Sequence, residues 1–505
     1  MTAQGTSEPR GRIPPALKTG VDSAATRASR LPLMQKVGYA AGQLVELVVG
    51  SMLNMFALFY ATAVCGLSGG LAGVALGAGL IVDAVMDPFI GSLSDAWTSR
   101  FGRRVPFMVA AVMPLALSFN LIFSLPSGVG PVGAFLWLMT LSIALRISLS
   151  LFVLPYQALG AELSDDYAER SSIAAWRWGV GILGTIAVIA LGYGVFLSGP
   201  GGVSHRAGYQ SLTMTLTALI AAGAVSAIRI GLVTRTQQHE PAAPAERALH
   251  HRLFGEVAEM FRNRTFRILF GASLLLNVAQ GISQALALHV ILFFWKVGTE
   301  QMPTLSVAAI LGFVLAAPLS SLLSGRVEKR TMLAMGLIGM ALFQSIPVVL
   351  RLLGLLPVSG GLLTGILAAS MCLGGLMFAL SIIAFISIIP DAADEHEHLF
   401  GTRREGLYFA GWLFATKAAT GAGLLVAGVV LQLIDFPLNV SAEQVAAAAI
   451  PARTGALLGL AGGPGTALLA LVGTGLVLLY RLDRRAHERI VSDLVARRGV
   501  QGRSR

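Results

Sequence analysis

Leu80-Ile-Val-Asp-Ala-Val-Met-Asp-Pro88 lies inside an apolar run that extends over residues 70–95. A membrane-crossing helix needs roughly 20 mainly apolar residues, and this run is long enough to be one. Its two carboxylates, Asp83 and Asp87, stand four residues apart, so a helix places them on one face and close together. An ionised side chain in an apolar span is costly and needs a reason. Two like charges there repel unless a cation sits between them or one holds a proton. The pair predicts a membrane helix whose acids hold Na⁺ or H⁺.

The same length test finds eleven more runs, near residues 36–63, 105–126, 133–158, 172–198, 209–233, 265–295, 305–326, 332–353, 360–389, 406–434 and 455–481. The expected fold is an all-α membrane protein with twelve transmembrane helices in two six-helix pseudo-symmetric bundles. The predicted organisation is a disordered cytoplasmic tail over 1–34, an N-terminal bundle over 35–233, a cytoplasmic linker over 234–264, a C-terminal bundle over 265–481 and a cytoplasmic tail over 482–505. A short surface helix is expected in the linker near 253–261. Asp87-Pro88 followed by Gly91-Ser-Leu93 and Arg100–Arg104 is echoed by Ala317-Pro318, then Ser321-Leu-Leu323 and Arg326–Arg330. A six-helix unit used twice is the layout of a two-lobed transporter that rocks about a central site. The repeat places Phe313 and Ala317 opposite Asp83 and Asp87, so the acid pair is not part of the shared scaffold.

Composition agrees. Of 505 residues, 55% are hydrophobic and 12% charged, about half the ~25% of soluble domains. A soluble enzyme, a disordered scaffold and a nucleic-acid binder are excluded as readings, despite the net charge of +11. Fifty-eight glycines suit closely packed membrane helices. Arginines gather in alternate loops: Arg100, Arg103 and Arg104, the linker, Arg326, Arg330, Arg403, Arg404 and the C-terminal tail. This asymmetry predicts both termini in the cytoplasm, in a multi-pass protein of the inner cell membrane. The two cysteines, Cys65 and Cys372, imply no disulfide framework.

Further charged and polar residues sit where lipid should exclude them. The first span carries Tyr39, Gln43, Glu46, Gly50 and Asn54 at helical spacing, one face turned from lipid. The fourth has Arg146, Ser150 and Gln157, the fifth Arg177, the seventh Asn277, Gln280 and Gln284, and the eleventh Lys417. Together they predict a central aqueous cavity, although helix–helix hydrogen bonding is the better account of any single one of them. Asp95 with Arg100, Arg103 and Arg104 is expected to brace a cytoplasmic gate. Asp394-Glu-His-Glu-His398 is expected in a solvated cytoplasmic loop and assigned no metal. A membrane enzyme that holds Mg²⁺-diphosphate on aspartates, such as a prenyltransferase, needs acidic motifs in both halves, and no span of the second half has one.

Several of these stretches fall in a characteristic order. Lys36-Val-Gly-Tyr39, Asp83-Ala-Val-Met-Asp-Pro88, Ser99-Arg-Phe-Gly-Arg-Arg-Val-Pro106, Pro155-Tyr-Gln-Ala-Leu-Gly-Ala-Glu162, Asp166-Tyr-Ala-Glu-Arg170 and Arg403-Arg-Glu-Gly406 precede Lys417. From about Lys36 to Leu433 the chain resembles the glycoside–pentoside–hexuronide:cation symporters, the melibiose-permease-like branch of the major facilitator superfamily. The resemblance implies a cation site at Asp83, Asp87 and Ser150. It also implies substrate contact through Arg177, with Lys417 near both ion and substrate. The family's sugar-binding aspartates of spans one and four fall at Leu47 and Val153, and its span-four tryptophan at Gln157. Loss of both acids weakens a galactoside reading and leaves room for an anionic or amphiphilic solute, as in the family's lysophospholipid-transporting branch; Glu46 offers a displaced acid.

The expected function is cation-coupled symport of a sugar-type or related small solute by alternating access, not enzyme catalysis. The substrate-binding residues are predicted as Gln43, Glu46, Gln157, Arg177, Asn277, Gln280 and Lys417. No cofactor is expected beyond the coupling ion Na⁺ or H⁺. The expected partners are the bilayer, the solute and the cation, with the chain working as a monomer.

Overall fold

The computed structural model describes residues 31–164, 166–198, 202–234, 258–357, 359–402, 404–440, 444, 450–480 and 484–503. The expected N-terminal tail to residue 30, Arg403 and most of the linker lie outside the described residues; 258–262 is helical.

Twelve helices among the described residues are long and apolar enough to cross a membrane. They are α1 Leu33–Ala57, α2 Gly69–Ala96, α3 Val105–Ile122, α4 Pro131–Glu162, α5 Ala168–Phe196 and α6 Arg206–Val233, then α7 Arg264–Phe294, α8 Thr299–Leu323, α9 Lys329–Leu352, α10 Gly361–Phe400, α11 Glu405–Leu433 and α12 Ala452–Leu478. Local chemistry sets several boundaries. Asp166 caps α5 by accepting from the Ala168 amide at 3.0 Å, and Asn263 caps α7 by accepting from Thr265 N–H at 2.8 Å. Pro131 opens α4 at its first turn. Gly401, at φ 76°, closes α10 in the left-handed conformation that glycine adopts freely.

One expectation needs correction. Asp394–His398 is not a loop, because α10 continues through it for 40 residues in all. Its side chains find partners: His396 is fully buried, with Nδ1 3.2 Å from the Tyr408 hydroxyl, and Asp394 lies 3.2 Å from His487. Beyond the twelfth span a further helix, α13 Arg484–Arg503, packs on α10. His487 and Arg497 dock it, the latter donating to the His398 carbonyl at 3.2 Å.

An even number of spans puts both ends of the bundle's chain on one side, the terminal side. On the far side the two halves are welded. Phe56 of α1 and Phe59 just beyond it share one buried cluster with Leu286 and Phe293 of α7 and with Val440. Thr62 Oγ1 lies 3.1 Å from Nε2 of His289 on α7, and the Val440 amide donates to Ala63 O at 2.7 Å. α2 and α11 cross so closely that a Cβ on Gly428 would collide with the Gly69 carbonyl, and one on Gly77 would reach Gly421 O at 2.7 Å. On the terminal side the C-terminal half keeps a separate core, with Leu269, Leu337, Ile388, Tyr408 and Val477. Asn54 and Gln284 are exposed at mid-span, whereas the residues beyond them toward the far side are buried across the seam. The cleft between the halves therefore opens on the terminal side.

Candidate functional site

The seam between α2 and α11 brings opposite charges together where the welded part ends. α2 carries Asp83 and Asp87 one turn apart, and α4 presents Ser150 to both. The Ser150 hydroxyl is hydrogen-bonded to Asp83 and lies 2.7 Å from Asp87 Oδ1. Asp83 and Ser150 are each 3% exposed, so their polar atoms depend on one another rather than on water. From the opposite half Lys417 reaches in, with Nζ 2.9 Å from Asp83 Oδ2 and in contact with Asp87 Oδ2. The ammonium thus occupies the place that two adjacent carboxylates would otherwise reserve for a cation. Four oxygens and a hydroxyl at hydrogen-bonding distance form a hard-oxygen set suited to an alkali ion or a proton.

A second polar cluster joins α1, α4 and α5. Arg177 donates through Nε and Nη2 to Gln43 Oε1, at 3.1 and 2.9 Å. Gln43 passes its own amide hydrogen to Glu46 Oε2 at 2.8 Å, and Gln157 approaches the same oxygen at 3.4 Å. Arg177 also lies over the Tyr156 ring, 5.1 Å from its centroid. Tyr156 and Tyr39 exchange hydroxyl-to-carbonyl bonds of 3.0 and 2.7 Å, which fixes α1 against α4 beneath the arginine. Four of the expected substrate residues, Gln43, Glu46, Gln157 and Arg177, therefore form one network.

The others do not join it. Lys417 belongs with the acid pair. Asn277 turns back on its own helix, donating to Ser273 O at 2.8 Å. Gln280 borders a separate cavity of about 430 Å³. That cavity lies between α7, α8, α9, α10 and α12, with Ile182 and Thr185 of α5 at one wall. Its lining is mostly apolar, including Ile310, Phe313, Phe343, Met371 and Phe378, with Gln280, Gln284 and Gln344 as its long polar side chains. Its size is that of a small-molecule site.

The expected gate residues pair within the N-terminal half. Arg103 and Arg104 meet Glu162 at the end of α4, at 2.6 and 3.3 Å, and Arg104 also contacts Asp95. Arg100 lies over the Phe101 ring. Among the described residues, the Arg103 and Arg104 contacts tie the α2–α3 loop to α4, within the N-terminal half.

Sequence reasoning passed over Glu162 as the partner of the arginines and over the Thr62–His289 contact between halves. Glu162 was legible as the acid that ends α4. His289, a lone histidine in an apolar run, carried no comparable signal.

The description of one protein-family model, MFS/sugar transport protein, matches residues 38–484. An uncharacterized symporter of Synechocystis, sll1374, is 33% identical over 174 residues, 34% of this chain and 32% of that protein. The sphingosine-1-phosphate transporter MFSD2B of Xenopus tropicalis is 24% identical over 511 residues, covering 94% of this chain and 93% of its own. A crystal structure of a mutant of the nucleoside transporter NupG superposes with TM-score 0.61 at 17% identity, over 88% of this chain and 99% of that one. That likeness shows the fold.

Proposed function

Since the chain belongs to the MFS/sugar transport protein family, we propose that it is a secondary transporter coupling Na⁺ or H⁺ to symport of a small solute by alternating access. The carrying observation is Lys417 seated between Asp83 and Asp87 at the seam. A cation entering the acid pair displaces the tethered ammonium, and this loosens the bond that joins α11 to α2. The family resemblance and the name symporter borne by the Synechocystis relative support the coupling. Cation and solute then each tighten the other's binding by the same factor.

The cargo best matched by the geometry is an anionic amphiphile: the 430 Å³ cavity is largely apolar, and Arg177 and Lys417 supply cationic groups outside it. MFSD2B, named for a phosphate-bearing lipid, aligns over nearly the whole chain. A glycoside is the second reading, favoured by the Gln43–Glu46–Gln157 cluster, whose amides and acid suit hydroxyl groups. The arginine-rich terminal side is assigned to the cytoplasm by the positive-inside rule, which makes the open cleft inward-facing in a monomer of the inner membrane.

Proteoliposome uptake tests the coupling. Radiolabelled lysophospholipid and methyl-glycoside are offered with an inward Na⁺ or H⁺ gradient. Gradient-driven accumulation that disappears in the Asp83→Asn/Asp87→Asn protein is expected. Uptake unchanged in that variant sinks the coupling scheme, and the preferred cargo separates the two readings.

A further inference from the structure

Arg146 on α4 stands one turn from Ser150, toward the far side. Its Nε is enclosed and unpartnered, and the guanidinium forms no hydrogen bond or ion pair with any described residue. A guanidinium offers five donors, so an idle one within a membrane protein's interior is costly unless something charged meets it. One turn along the same helix, Ser150 holds Asp83 by a hydrogen bond, so Arg146 stands on the α4 face that meets the acid pair. Arg146 borders a small cavity at the apex of the cleft, where α1, α2, α4, α7 and α11 converge, with Asn54, Ser142, Gln284 and Thr420 on its walls. Gln284 also lines the 430 Å³ apolar cavity, so the two spaces share a wall.

Charge balance gives this position a consequence. Counted at formal charge, Asp83 and Asp87 bring two negatives and Lys417 and Arg146 two positives, so the empty cluster is neutral. A monovalent cation entering alone leaves it with an uncompensated positive charge in a low-dielectric interior. A singly negative solute group entering alone leaves the opposite imbalance. Only the two together restore neutrality.

We propose that Arg146 is the anchor for a monoanionic group on the transported solute, placed so that one cation and one anionic head are bound as a pair while an attached apolar chain takes the neighbouring cavity. This rests on the symport reading above and narrows it to a monoanion. Arg177 is thereby left to the Gln43–Glu46 network it already satisfies.

Thermal unfolding in lipid nanodiscs tests the assignment with two synthetic probes. Decyl methyl phosphate carries one negative charge, and decyl dimethyl phosphate carries none. Each is titrated in NaCl and in choline chloride, at pH 7.5 and pH 5.5. Wild-type protein is expected to be stabilised by the anionic probe only where its cation is present, and by the neutral probe in neither case. In Arg146→Gln the half-saturating concentration of the anionic probe should rise roughly tenfold or more, the loss of a charge-assisted contact. The same variant should bind the cation more tightly without any probe, because its empty cluster is negative. Arg146→Gln that retains wild-type affinity for the anionic probe overturns the proposal, as does wild-type protein that takes the two probes equally. The second comparison needs no variant, so a poorly folding Arg146→Gln does not shield the idea. Anion binding that is lost in Arg146→Gln but indifferent to Na⁺ and pH in wild type would keep Arg146 as the anchor and overturn both the pairing and the symport reading.

Discussion

Lys417 on α11 reaches across the seam between the two halves to Asp83 on α2, with Nζ 2.9 Å from Oδ2. The same ammonium contacts Asp87, and the pair of contacts lies where the glycine-packed crossing of Gly69–Gly428 and Gly77–Gly421 gives way to the open cleft. The empty carrier thus offsets one of its two carboxylate charges with its own ammonium. A transporter that must return unloaded needs such compensation, since two bare carboxylates in an apolar interior resist any rearrangement that keeps them dry.

Lys417→Gln removes that counter-ion without adding bulk. The coupling cation then no longer competes with a charge-assisted contact of about 1.5–3 kcal/mol. Its half-saturating concentration, read from cation-dependent thermal stabilisation, should fall roughly tenfold or more. Gradient-driven uptake should fall at the same time, because the unloaded form has lost the ammonium that offsets its acids. Unchanged cation affinity would mean that the ammonium does not occupy the cation's place.

Thr62→Val tests the far-side weld. It keeps the volume of the side chain but deletes the 3.1 Å contact to the fully buried His289, leaving the imidazole among Phe59, Phe293 and Phe436 without its inter-half partner. A neutral hydrogen bond contributes about 0.5–1.5 kcal/mol, so the balance should shift several-fold toward opening on that side. Spin labels at Val129 and Leu355, in loops of opposite halves, with Cys65 and Cys372 replaced by Ser, would report it as a longer-distance population. An identical distance distribution would mean that the aromatic packing alone closes the seam.

Gly428→Ala addresses the α2–α11 crossing. The new methyl would overlap the Gly69 carbonyl and crowd Gly73, both backbone, so neither can rotate away. Overpacking of this kind costs about 1–3 kcal/mol. The unfolding temperature in nanodiscs should drop and uptake should slow, whereas Gly475→Ala, at a position with nothing within 4 Å, should change neither. Equal behaviour of the two variants would show that the crossing has slack.

The spans and the acid pair were legible because each is a local property. Twenty apolar residues announce a helix whatever surrounds them, and a four-residue spacing places Asp83 beside Asp87 on any helix. The helical reach of α10 through Asp394–His398 was not legible, because those residues are polar and become helical by tertiary partners: His396 against Tyr408, and Asp394 against His487 of a helix nearly a hundred residues on. The same holds for the site. The family resemblance put Lys417 near both ion and substrate; that it pairs with Asp83 and not with the Arg177 network depends on how α11 crosses α2, which the spacing of small residues hints at but does not register. Asn277 shows the opposite failure, since it shares a face with Gln280 and Gln284 yet spends its amide on its own helix. A polar stripe marks where lipid is absent; it does not say which of its members meets a ligand.

Glu162 is the one acid that Arg103 and Arg104 share, at 2.6 and 3.3 Å. Arg104 is 7% exposed and also donates to Ser94 at 2.9 Å, so it is held in the protein by a short list of partners. Glu162→Gln keeps shape and one acceptor but leaves two guanidinium groups facing a neutral amide. The exposed Asp95 compensates Arg104 only in part. A loss of about 1–3 kcal/mol in stability is expected, of the size seen when a partly buried charge loses its partner. Because the cluster lies wholly in the N-terminal half, the cation dependence of unfolding should survive while the unfolding temperature falls. A variant with normal stability but altered cation dependence would instead join this loop to the acid pair.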